Sequence, residues 1–241
     1  MLLSLLKNRP TISLKNYTLS KLKREFITTE DGSVTIFLPE MQETYHSKFG
    51  AIQEARHVFI QNGLDLVKDK PIAILEIGFG TGLNAFITFL ESVKSEQQID
   101  YTGVEAYPVG QEESLQLNYV KELDANDYTN VFKTMHNGDW ETTLQLSDNF
   151  TLTKRKQFFE EIDDVNKYDL IYFDAFGYPS QPHLWSEDIF KRMYAALKPG
   201  GILVTYACRS IIKNNMKSVG FTTSKLPGPP GKREMLRGVK W

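Results

Sequence analysis

From Pro71 onward the chain alternates between short apolar runs and stretches whose apolar residues return every three or four positions. The first pattern marks strands and the second marks helices. "IAILEIG" (72–78) is a fully apolar strand and "GLNAFITFLESV" (82–93) a helix. "DYTGVEAY" (100–107) is a strand, "EESLQLNYVKEL" (112–123) a helix, and "NVFKTMH" (130–136) a strand. "YDLIYFDAF" (168–176) is a strand, "SEDIFKRMYAAL" (186–197) a helix, and "GGILVTYA" (200–207) a strand. "SIIKNNMKSVG" (210–220) is a helix, and "FTTSKL" (221–226) and "EMLRGVK" (234–240) close the chain as strands. Apolar strands taking turns with helices predict an α/β fold with a mostly parallel sheet covered on both faces. The last two strands lack an intervening helix, so the seven-stranded sheet ends in an antiparallel hairpin. In residues 148–166, "FTLTK" alternates like a strand, and the rest fits either a strand or a helix.

Upstream, "FITTEDGSVTIFL" (26–38) reads as two strands around an Asp31–Gly32 turn. Ile52, Ala55, Val58, Phe59 and Leu64 then follow at helical spacing. They predict a helix over Ala51–Asn62 that stops at Gly63. The domain reading is an extension of hairpin plus helix over 1–65, packed on a main domain over 66–241.

With 241 residues, 41% of them hydrophobic, the chain can bury one sizeable core. Its single cysteine, Cys208, cannot form an internal disulfide. The N-terminal "MLLSLLKNRP" is too short for a signal-peptide apolar core, and no apolar run reaches membrane-helix length. The expectation is a soluble, cytoplasmic protein with no membrane partner. Charge is unevenly spread. Residues 191–241 hold eleven Lys and Arg against the one acid Glu234, a net +10, and the remainder is net −12. Such asymmetry suits a polyanion on one face, although it also fits an ordinary solvated surface.

The most informative stretch is "ILEIGFGTGLNAF" (74–86). Glycine lets a ligand approach the backbone closely and reaches positive φ. Gly78, Gly80 and Gly82 stand at every second position, where a dinucleotide fold has G-x-G-x-x-G. Glu76 precedes them; it would repel a pyrophosphate and suits the amino group of a methionine moiety. The pattern therefore points to S-adenosylmethionine. Glu105 ends the second strand, where an acid can accept both ribose hydroxyls. Asp139, taken to follow the third strand, can accept the adenine amino group, with Trp140 beside it to stack or pack. Any one of these acids could simply be a cap. All three in order at successive strand ends favour an adenosine site.

Asp174 ends the fourth strand, in "DLIYFDAFGYPSQPHLW", where the reacting methyl would lie. The loop after it interleaves Phe176, Tyr178 and Trp185. Methyl transfer to an amine needs an unprotonated nucleophile held in line, and one carboxylate to orient it and accept its proton. Asp174 is the candidate catalytic residue. The four histidines (His46, His57, His136, His183) lack metal-ligand spacing, so no metal is expected.

Four blocks carry a resemblance to a known family: "ETYHSKFGAIQEARHVFI" (43–60), "ILEIGFGTGLNAF" (74–86), "FDAFGYPSQPHLW" (173–185) and "GKREMLRGV" (231–239). The chain resembles the methyltransferase half of MnmC-type tRNA-modifying enzymes. The resemblance implies a Rossmann-like class I S-adenosylmethionine-dependent methyltransferase fold. It also implies N-methylation of 5-aminomethyl-2-thiouridine at the tRNA wobble position, giving 5-methylaminomethyl-2-thiouridine. In two-domain members an FAD-dependent oxidase first removes a carboxymethyl group. No second nucleotide-binding region is seen here, so no FAD is expected and a separate enzyme would supply the amine. By position, Glu76, Gly78, Gly80 and Gly82 would bind the methionine end, Glu105 the ribose and Asp139 the adenine. Asp174 and Phe176 would form the acceptor site. Tyr45, Ser47 and Glu54 would line the cofactor or acceptor pocket, and Trp185 belongs to the acceptor loop. Lys232 and Arg233, in the basic C-terminal region, would contact tRNA phosphates. Tyr178 stands where the family usually has proline, and His183 where an acid often precedes the hydrophobic–Trp pair. The competing reading is a small-molecule methyl- or aminopropyltransferase, like a polyamine synthase.

Overall fold

The computed structural model describes residues 22–67 and 70–241; the first 21 residues of the expected extension lie outside the described part. The described chain opens with β1 (Glu25–Thr28), β2 (Val34–Leu38) and β3 (Glu43–Thr44), a small antiparallel sheet of order β1-β2-β3. The turn at Asp31–Gly32 falls where predicted. Asp31 fixes it by accepting from the Ser33 N–H and hydroxyl, and Gly32 takes φ 85°. Helix α1 (Ala51–Ala55) continues as a wider π-wound segment over Arg56–Gln61. Ala51, Ala55, Val58 and Phe59 are buried in the main core, so the extension is keyed into the body of the protein.

The main sheet contains β4 (Ile72–Ile77), β5 (Ile99–Val104), β6 (Thr143–Ser147), β7 (Phe150–Arg155), β8 (Tyr168–Phe173), β9 (Leu197–Thr205), β10 (Thr222–Pro227) and β11 (Glu234–Val239). Its order is β10-β11-β9-β8-β4-β5-β7-β6. Strands β7, β5, β4, β8 and β9 are parallel, and β11 runs antiparallel to both β9 and β10. Helix α2 (Leu83–Ser95) packs with α1 on one face, and α6 (Glu187–Ala196) and α7 (Ser210–Ser218) pack on the other. The α/β layering is the predicted one.

Three expectations are corrected. The sheet has eight strands, because β6 adds an antiparallel edge beside β7. Residues 130–136 are not a strand; they lie in helix α5 (Thr129–Asn137). Phe132 and Met135 are buried three residues apart, which is helical spacing, and the strand beside β5 is "FTLTKR", where Phe150, Leu152 and Lys154 alternate inward. The single helix expected over 112–123 is two short ones, α3 (Gln111–Ser114) and α4 (Tyr119–Glu122).

Central to the site is the register of the middle strands. Ile77 pairs with Val104 on one side and Phe173 on the other. The next residues, Gly78, Glu105 and Asp174, therefore emerge abreast at the carboxyl edge. Backbone bonds hold them there: the Gly78 N–H donates to Val104 O at 3.0 Å and the Asp174 N–H to Ile77 O at 2.9 Å.

Candidate active site

A cavity of about 280 Å³ opens at this edge. Its floor is the β4–α2 turn, including Gly78, Gly80 and Asn84, with Glu105 and Tyr107 beyond β5 and Asp174 and Phe176 beyond β8. Phe158 and Glu160 follow β7, Tyr206 follows β9, and Tyr45 and His46, directly after β3, form the roof.

The turn is tight enough to require glycine. Gly78 has φ 90°, and a Cβ there would lie 2.6 Å from the Asp174 carbonyl oxygen. Gly80 has φ 50° under the Tyr45 ring, and Gly82, at φ 72°, opens α2. The Glu105 carboxylate accepts the Gly80 N–H at 3.0 Å and the Tyr107 N–H at 2.9 Å, so it both locks the turn and faces the cavity. Burial pushes its pKa up despite these bonds.

Glu76 is fully buried behind the turn. The Asn84 side-chain amide donates to Glu76 Oε1 at 2.9 Å and to Asp174 Oδ2 at 2.9 Å. Among the described residues, no hydrogen-bond partner lies within reach of the buried Glu76 Oε2 and Asn84 Oδ1. Burial drives the Glu76 carboxyl well above the usual carboxylate range. Asp174 is pushed up to about 7, first by burial and then by the Glu54 charge, against the lowering effects of the Asn84 bond and of Lys232. Among the described residues, Glu76, Glu105 and Asp174 are in no ion pair. Glu105 and Asp174 at the cavity, with Glu76 behind its floor, are carboxyl groups without an ion-pair partner among these residues, and they fit a ligand that brings its own positive charge.

The cavity wall around Asp174 is braced from several parts of the chain. Lys232 pairs with Glu54 of α1, and its ammonium lies 3.9 Å from the Tyr206 ring centroid. The other Glu54 oxygen accepts the Ser47 N–H at 2.9 Å. The Tyr206 hydroxyl donates to Ala175 O at 2.8 Å. Trp185, fully buried, donates its indole N–H to Phe176 O at 2.8 Å. Phe176 meets Tyr45 edge to face at 5.1 Å.

Of the residues expected from sequence, Tyr45, Gly78, Gly80, Glu105, Asp174 and Phe176 line the cavity. Glu76 and Gly82 support its floor. Ser47, Glu54, Lys232 and Trp185 stand behind its wall. Lys232 is therefore partly buried against Glu54 and Tyr206, whereas Arg233 is exposed. Tyr178, in the loop after β8, is not among the residues lining the cavity; the Arg209 guanidinium lies 5.9 Å from its ring centroid.

Asp139 and Trp140 are not among the residues lining this cavity. They follow helix α5 rather than a parallel strand. The Lys154 ammonium stands 5.0 Å from the Trp140 ring centroid, and the Asp139 charge acts on it. The position after the true third parallel strand belongs to Phe158, half exposed and edge to face with Tyr107 at 5.9 Å. Sequence reasoning missed Phe158 because β7 was left ambiguous. It also missed Asn84, whose polar side chain on a helix buried nearly all round was the available signal.

A mostly parallel sheet with glycine turn and acids abreast at its carboxyl edge defines the class of Rossmann-like methyltransferases. The profile of the family described as S-adenosyl-L-methionine-dependent methyltransferase matches residues 119–241, and the chain belongs to that family. It is 30% identical over 217 residues to the "tRNA 5-methylaminomethyl-2-thiouridine biosynthesis bifunctional protein MnmC" of Leptospira borgpetersenii serovar Hardjo-bovis (strain JB197), covering 81% of this chain and 32% of that protein. The protein of the same name from Delftia acidovorans (strain DSM 14801 / SPH-1) is 29% identical over 224 residues, covering 85% of this chain and 33% of its own. The chain thus spans about a third of the length of these curated relatives. The crystal structure of MNMC2 from Aquifex aeolicus shares the fold, with TM-score 0.70 and 21% identity, over 92% of this chain and 71% of that one.

Among the described residues, no group of three or more His, Cys, Asp or Glu side chains is placed to hold a metal, and no helix is long and apolar enough to cross a membrane.

Proposed function

We propose that this methyltransferase methylates the side-chain amine of 5-aminomethyl-2-thiouridine at the tRNA wobble position, giving 5-methylaminomethyl-2-thiouridine. The observation that carries the reading is the pair of buried acids joined by Asn84, one in β4 just before the glycine turn and one just after β8 beside Phe176; we assign the first to the cofactor and the second to the acceptor. The names of the curated relatives supply the substrate class.

S-adenosylmethionine, when bound, supplies an electrophilic methyl on a sulfonium. The unpartnered Glu76 oxygen and the glycine turn suit its methionine end, and Glu105 suits the ribose diol. We place the adenine by Phe158 and Tyr107 rather than by Asp139, because those rings border the cavity. The protein need not form a covalent bond. Asp174 orients the acceptor N–H groups and takes the proton released as nitrogen gains the methyl. Phe176, Tyr45 and Tyr206 wall the acceptor from water and favour the neutral, nucleophilic amine.

Exposed basic residues of the C-terminal region, Arg233 among them, would contact tRNA phosphates. The aminomethyl uridine is then the product of a different catalytic unit, and the transfer step itself uses no FAD. Reaction in the cytoplasm, where tRNA resides, follows from this substrate.

The test uses labelled S-adenosylmethionine with tRNA from cells lacking the wobble methyltransferase, followed by digestion to nucleosides. Label in 5-methylaminomethyl-2-thiouridine is the expected result. Label elsewhere rejects the acceptor, and turnover of free polyamines without tRNA establishes the small-molecule reading instead.

A further inference from the structure

We propose that Asn84 is a positioning residue for methyl transfer: its amide donates to the cofactor-side acid Glu76 and the acceptor-side acid Asp174 at once, and so fixes the two halves of the reaction against each other. The inference rests on the functional reading above, in which Glu76 serves the methionine end and Asp174 serves the amine.

The geometry leaves little alternative for this side chain. Asn84 is the second residue of α2, only 3% exposed, on a helix that packs between the sheet and α1. Burying an amide there is costly unless its hydrogen bonds are made. Both amide hydrogens are committed, one to each carboxylate, at 2.9 Å in each case. Besides Asn84, the Tyr101 hydroxyl of β5 faces Glu76 and, less strongly, Asp174. Two acids, one in β4 and one just after β8, share one nitrogen, so neither can turn without disturbing the other. In-line transfer is sensitive to displacements of about 1 Å between donor and acceptor. A bridge anchored in a buried helix is a means of holding that distance.

The same bridge sets charge. Burial opposes ionisation of both acids, and the Asn84 bonds favour it. Asp174 is also faced by Glu54 from α1, by Lys232 from the β10–β11 connection, by Tyr206 after β9, and by Glu76. Of these, Asn84 and Lys232 favour the charged form. Removing the Asn84 amide therefore raises the pH at which Asp174 becomes a base.

The experiment compares wild type with Asn84→Ala, and with Asn84→Asp, which keeps the shape but removes both donors. Two quantities are followed from pH 6 to 9: cofactor affinity by calorimetry, and kcat on the aminomethyl tRNA at saturating cofactor. Asn84→Ala should weaken cofactor binding about tenfold, as loss of a hydrogen bond to a charged group does. It should also move the acidic limb of kcat upward by about one pH unit. Asn84→Ser, with one donor, should restore part of one effect. If Asn84→Ala only lowers the melting temperature, with affinity within about twofold and the limb unmoved, the inference is overturned. If wild type methylates no tRNA amine, the functional reading fails by itself. Cofactor affinity then still decides the bridge to Glu76: unchanged affinity overturns it and a tenfold loss supports it. Should Asn84→Asp fail to fold, the alanine and serine variants carry the comparison.

Discussion

Asp174 carries a carboxyl group that titrates at about 7, chiefly because it is buried and secondarily because Glu54 faces it. Only its ionised form can take a proton from the amine. The rate at saturating substrates should therefore rise with pH through about 7, and Asp174→Asn should lose roughly 10²–10⁴-fold in kcat while still binding cofactor. Cofactor calorimetry beside single-turnover methylation checks both halves. The raised value has a stability counterpart. A carboxyl whose pKa is higher folded than unfolded stabilises the fold at low pH, and that contribution is lost as pH rises through the folded value. Asp174→Asn should accordingly gain stability over wild type at pH 8 and lose the advantage by pH 4, measured by urea unfolding of the apo-protein. Equal midpoints at both pH values would show that Asp174 is not buried as described. Sequence alone placed this carboxylate at a strand end but said nothing of its ionisation, since burial, Glu54 and Lys232 reach it from distant parts of the chain.

At the scale of elements, the β4–α2 turn is where local sequence and tertiary contact meet. Its glycines were legible because no other residue accepts positive φ so readily. What the sequence could not show is that the constraint at Gly78 comes from another strand, through the Asp174 carbonyl oxygen 2.6 Å from a would-be Cβ. Gly78→Ala should cost at least about 1–3 kcal/mol in unfolding free energy and weaken cofactor binding. A variant with wild-type unfolding midpoint and affinity would mean the turn is looser than described. Helix α5 teaches the opposite lesson. The "NVFKTMH" segment contains apolar residues compatible with either period, and the slot beside β5 went to "FTLTKR" because that run alternates over a longer stretch. With that exchange Phe158 lines the cavity and Asp139 does not.

Across the whole molecule, the C-terminal basic segment divides into two populations. Arg233 faces solvent, while Lys232 is drawn under the roof by Glu54 and Tyr206. Arg233→Ala should weaken tRNA binding at low salt, reduce the slope of log affinity against log salt by about 1, and leave the pH profile alone. Lys232→Ala should leave that slope unchanged and shift the acidic limb of kcat upward, because the lysine favours ionised Asp174. Filter binding across a salt series and pH–rate profiles separate the two, and the opposite pattern would reverse the assignment.

The sequence by itself determined the α/β class, the closing hairpin, the glycine turn and the strand-end acids Glu76, Glu105 and Asp174. These are local facts: hydrophobic period, conformational freedom at glycine, and the position of an acid within its own strand. The tertiary structure decided which segment fills the third parallel strand, which side of the wall Lys232 occupies, and that Asn84 joins two acids lying on different strands. Those outcomes depend on competition between segments for one sheet position and on charges brought together across as many as 178 residues of chain, as in the Lys232–Glu54 pair. No local pattern encodes them, because their energies exist only once the segments are packed.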